Sequence, residues 1–205
     1  HLEQALDSYR AGLDQARDVA HTYLQSDALQ RIWSTKLARA DLEGALETAQ
    51  TLHTLAQQAQ VPDLEAQAAY GLGSVALAQG AFDRAVTTLN TALTLATDAH
   101  NETLQLQLKL TLADAHLHQG AAPQALLLLE AIAPETLDRQ PLLHLEHSAL
   151  LALCKAALDG HNPIDILHQA QRQLDALALG ERSRLARLVA RATVAVRKTS
   201  NEGLG

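Results

Sequence analysis

Residues 66–96 read AQAAYGLGSVALAQGAFDRAVTTLNTALTLA, two stretches of small and aliphatic residues hinged at Gly80. The pattern predicts one helix over 64–79 and a partner over 82–99, with Gly80 supplying the permissive turn. Working outward, the Ala at 85 returns at Ala5, Ala45 and Ala125, a step of 40 residues, with Asp165 at the next place. Gly80, Gly120 and Gly160 keep the same beat five residues earlier, with Ala40 in the preceding slot. A fixed period in this range marks a helical solenoid. One repeat cannot bury its own apolar face, so neighbours stack into one continuous core.

The frame organises the whole chain. Residues 26–65, 66–105, 106–145 and 146–185 form four repeats, preceded by a half repeat over 1–25 and followed by a capping helix over 181–198. In the first repeat, Leu29, Ile32, Trp33 and Leu37 define a helix over 26–38, with Ser26 and Asp27 as caps. Leu42, Ala45, Leu46, Ala49, Leu52 and Leu55 form the next stripe, closed by Val61-Pro62-Asp63. Helices are further expected over 104–119, 123–132, 142–159 and 163–179, with Pro123 and Pro163 in first turns. Residues 134–141 are the longest connection and the expected place of departure from regularity. Residues 1–23 read as a single helix. Ten helices in five antiparallel pairs follow, and no linker divides the chain, so one right-handed superhelical all-α domain is expected.

Composition agrees with this class. Hydrophobic residues make up 47% but aromatics only 2%, so Leu and Ala, both strong helix formers, must build the core. The formal net charge of −7 argues against a nucleic-acid surface spread over the domain. A single cysteine, Cys154, forms no internal disulfide, which fits a reducing cytoplasm. No apolar run reaches the roughly 18 residues of a membrane span, and no signal peptide is evident. The absence of Met suggests a piece of a longer protein.

Residues 66–96 resemble a tetratricopeptide repeat. The family's marks appear as Tyr70, Leu72-Gly73, Gly80, Phe82, Ala85 and Ala92, all in one frame. The unit around Gly120 keeps Leu112-Ala113, Gly120 and Ala125 but has Ala122 in the aromatic slot. The unit around Gly160 departs further, with Asn162 for the aromatic and Asp165 for the small residue. Family units are about 34 residues long, so a 40-residue spacing lengthens the helices or their connections. Longer units of this kind are similar to sensor and scaffold arrays of bacterial regulatory proteins, including transcription activators. The resemblance implies binding of a protein or peptide, with a small-molecule effector or a free-standing assembly scaffold as alternatives.

Catalytic and metal chemistry find little support in the residues. His116-x-His118 and His144-x-x-His147 are the only clusters that suggest a metal, but zinc needs at least three protein ligands. In the frame, His116 points into its helix pair and His118 toward the concave face. His118 and His147 would stand about 16 Å apart at about 1.5 Å per residue. Gly71-x-Gly73 lies inside a helix with no preceding strand, so it reads as packing and not as a phosphate loop. Cys154 has no activating base in view and reads as a buried hydrophobe. No catalytic residue, metal or cofactor is expected. Arg182, Arg184, Arg187, Arg191, Arg197 and Lys198 make the last helix basic, read as a solvated outer face or, alternatively, a dock for an acidic partner.

Family geometry carried onto the frame places Gln30, Tyr70, Leu110 and Leu150 in one concave row, and Leu37, Leu77 and Leu117 in another. Arg31, Ser34, Gln67, Ser74, Gln107, Thr111, Asp114, His118 and His147 border them. The expected occupant is an amphipathic helix, or neighbouring domains of the parent chain. Open ends at Ala5, Leu6 and Tyr9 and at Leu185, Leu188 and Val189 would invite self-association.

Overall fold

The computed structural model describes residues 2–158, 163–177 and 184–202. Helices account for nearly all of them, and no strand occurs among the described residues. In order these are α1 (Leu2–Asp18), α2 (Thr22–Ala38), α3 (Leu42–Ala59), α4 (Pro62–Ala78), α5 (Phe82–Asp98) and α6 (Glu102–His118). There follow α7 (Ala122–Glu130), α8 (Pro134–Asp138), α9 (Pro141–Ala157), α10 (Ile164–Ala176) and α11 (Arg184–Glu202). The described residues thus hold eleven helices where ten were expected. No helix among them is long and apolar enough to cross a membrane.

What spaces α1 to α7 is a left-handed residue at each turn between them. Ala20, Ala40, Gln60, Gly80, His100 and Gly120 all have positive φ, between 51° and 75°, and fall twenty residues apart. At Gly80 the Ala81 N–H donates to the Ala76 carbonyl at 2.9 Å, and the Gly80 N–H to the Leu77 carbonyl at 3.0 Å. This is the Schellman closure, which satisfies carbonyls left over at the helix end. The same double closure ends α1, α2, α5 and α6. Restart is equally local: side chains of His21, Asp41 and Asn101 accept from the N–H three residues on, capping α2, α3 and α6.

This corrects two boundaries. Residues 1–23 are divided at Ala20, so Tyr23 already belongs to α2. Ser26 is no cap but a buried mid-helix residue, 1% exposed, and Asp27 pairs with Arg31 one turn on. The eleventh helix has a cause in Pro134. Without an N–H, and with a ring that clashes with the preceding turn, proline cannot continue α7. The chain restarts as the one-turn α8, which buries Leu137, and α9 begins at Pro141, one residue before the next twenty-residue step from Ala122. Pro163 sits at the cap of α10, one residue before the helix. The expected turn at Gly160, and Arg182, lie outside the described residues.

The chain divides into two compact units, His1–Leu108 and Lys109–Gly205, the division falling inside α6. In the first unit each helix from α1 to α5 packs on the next, and α2 also meets α4. Close approach there depends on absent side chains. A Cβ on Gly73 would lie 2.6 Å from Leu89 Cγ, and one on Gly71 would lie 3.2 Å from the Trp33 indole. Both glycines therefore serve packing. A polar ladder ties the starts of successive first helices: Ser26 donates to Gln67, Gln67 to Asp63, and Asn101 to Asp63. In the second unit α9 is central, packed against α7, α8, α10 and α11.

The turn geometry sets up opposite outcomes at equivalent positions. Ala40→Gly removes a left-handed strain and should raise stability by about 1 kcal/mol, while Gly80→Ala should lower it by a similar amount. Urea unfolding of the two variants measures both signs.

Candidate interaction surfaces

In the first unit, α2 and α4 bring the expected row residues side by side but leave them unequally available. Arg31 and Ser34 are exposed, whereas Gln30, Leu37, Tyr70 and Leu77 are half-buried. The Arg31 guanidinium pairs with Asp27 at 2.9 Å and stands 5.8 Å over the Tyr9 ring. The Asp27 hydrogen bond and charge hold its pKa above the usual arginine value. Ser34 donates to its own helix at the Arg31 carbonyl. Gln67 is engaged in the ladder, and Tyr70 meets Trp33 edge to face at 5.7 Å. Ser74 is buried at 8%, and both its hydroxyl and the Trp33 indole nitrogen lack a hydrogen-bond partner. Gln107 is half-buried.

The second unit corrects the open-strip expectation more sharply. Leu110 is 1% exposed and Leu150 fully buried, and Thr111 is buried beside them in sequence; Leu117 is half-buried. Periodic leucines here serve as core. Over them Arg191 of α11 reaches Asp114 Oδ1 at 2.8 Å and His118 Nε2 at 3.0 Å. Since a guanidinium only donates, that histidine nitrogen accepts. Arg184 pairs with Glu146, itself only 5% exposed, at 2.6 Å. Of the cations expected on a solvated face, Arg184 stays exposed while pairing with a buried carboxylate, and Arg191 is half-buried. His147 leaves the expected border as well, with Nε2 3.1 Å from the Leu129 carbonyl of α7. Burial lowers its pKa, opposed by that hydrogen bond and assisted by the charge of His144.

The terminal faces also differ from expectation. Leu6, Leu188 and Val189 are buried, because α1 turns its stripe onto α2 and α11 turns its own onto α9 and α10. Ala5, Tyr9 and Leu185 are half-buried. Concavities occur in both units. One of about 370 Å³ is lined by α1, α2 and α3, including Leu13, Leu29 and Leu55. Another, about 480 Å³, lies between α10 and α11 and is lined by Ile164, Leu167, His168, Gln171, Thr193, Val196 and Arg197.

No group of three potential metal ligands converges among the described residues. Cys154 is buried, and burial pushes its thiol up to about 12, against the pull of Arg191 and with the push of Asp114. A thiol so held is protonated at neutral pH and a poor nucleophile. Sequence reasoning missed these ion pairs, although a signal existed: Glu146 is the lone acidic residue of α9 and is flanked by leucines and alanines on the same helix. No protein-family model matches the chain, and no curated protein matches it.

Two outcomes follow from this geometry. Arg191→Ala strands Asp114 and should cost on the order of 1–2 kcal/mol, between exposed and buried ion-pair limits. It should also speed labelling of Cys154 by a thiol reagent relative to the parent chain. For His147 the folded pKa lies below the ordinary 6.5, so the unfolded chain binds more protons as pH falls below that value. Stability is then full above it and declines on acidification. His147→Gln, which keeps a donor for Leu129, should flatten that decline in denaturant titrations at stepped pH.

Proposed function

We propose that this chain is a tetratricopeptide-like interaction domain of a bacterial regulatory or signalling protein, binding a protein or peptide segment. One observation supports the reading above others. In the first unit, adjacent helices α2 and α4 leave Leu37, Tyr70 and Leu77 partly accessible, with exposed Arg31 and Ser34 beside them. An apolar strip with a polar border suits the apolar face of an amphipathic helix.

A helical-peptide display selection tests the proposal. Selected peptides should shift the amide resonances of Leu37, Tyr70 and Leu77, and Leu77→Asp should abolish binding while helical circular dichroism persists. Thr91→Asp, on the exposed side of α5, should bind as the parent chain does. Peptides that map instead to α3 and α5, or that tolerate Leu77→Asp, would reject the α2–α4 surface.

A further inference from the structure

The groove between α10 and α11 has a chemistry of its own, independent of the α2–α4 surface. Its floor is aliphatic, from Ile164, Leu167 and Val196, and its rim carries His168, Thr193 and Arg197. Among the described residues that line it none is acidic. Residues 184–198 contain Arg184, Arg187, Arg191, Arg197 and Lys198 and no carboxylate at all. Arg184 and Arg191 are spent on Glu146 and Asp114, whereas Arg197 and Lys198 are exposed and make no ion pair with another described residue.

We infer that this groove docks an acidic amphipathic helix of a partner protein. Shape supports a helix: α11 packs on α9 and α10 and reaches α6 through Arg191, while its seam with α10 forms a concavity along Ile164, Leu167 and Val196. This seam encloses about 480 Å³ with aliphatic side chains among its lining, which fits a stripe of leucine and alanine. Charge selects the sign, because carboxylates beside that stripe meet Arg197 and Lys198. Complementary charge across an interface raises the association rate and disfavours wrong partners. The aliphatic floor disfavours nucleic acid, whose backbone would leave it unfilled.

The test uses a 17-residue helical peptide, the length of α4 and α5, with a Leu/Ala stripe flanked by Glu, and a twin flanked by Lys. Fluorescence anisotropy should show saturable binding of the Glu peptide and none of the Lys twin. Arg197→Glu should weaken binding by about tenfold or more, and Arg197→Gln by less. Arg84→Glu, the same charge change on α5, should leave affinity within about twofold. Arg197 is exposed, so retained helical circular dichroism is expected in its variants. Equal binding of both peptides, equal loss in Arg84→Glu, or no binding of the Glu peptide would overturn the inference. So would self-association in sedimentation that Arg197→Glu abolishes, which would assign the groove to a second copy.

Discussion

The regularity from α1 to α7 depends on one backbone event repeated at each turn between them, a residue forced into left-handed conformation. That residue ends a helix, closes its last carbonyls and reverses direction within three residues. Because Ala20, Ala40, Gln60, Gly80, His100 and Gly120 fall twenty apart, helices α1 to α6 are 17 or 18 residues long and their apolar stripes meet in register. Small residues then convert register into close contact, most tightly where Gly73 faces Leu89. The core is built from this spacing, with aromatic bulk contributing only around Trp33 and Tyr70.

Much of this was legible because period and small residues are local and chemical. Gly80 and Gly120 announced their turns. The finer twenty-residue beat was hidden, since the intervening left-handed places hold Ala, Gln and His, which carry no such mark. The boundary at Ala20 was lost for that reason. Pro134 showed that regularity would fail there, but whether a loop or a one-turn helix fills the gap depends on Leu137 finding the core.

The candidate surfaces were less legible, and the reason is physical. An aliphatic residue at helical spacing satisfies a groove and a core equally well, so Leu77 and Leu150 look alike in sequence and end half-buried and buried. Polar residues were misjudged through long-range pairing. Arg191 and Asp114 stand 77 positions apart, and no local pattern joins them. His147 was placed by helical phase, yet its ring turned to a neighbouring carbonyl because a half-buried donor needs an acceptor.

The ladder from Ser26 to Asn101 has a consequence for how the first unit comes apart. Asn101 uses its amide oxygen to start α6 and its amide nitrogen to hold Asp63 near the start of α4. Fraying at the start of one helix is therefore felt at the start of another. A stack of repeats coupled by apolar contact alone opens in independent steps, each set by its nearest neighbours. Shared amides add a second coupling along one edge, so amide protons at the starts of α4 and α6 are expected to exchange with solvent through a common opening, while the opposite ends of the same helices exchange on their own.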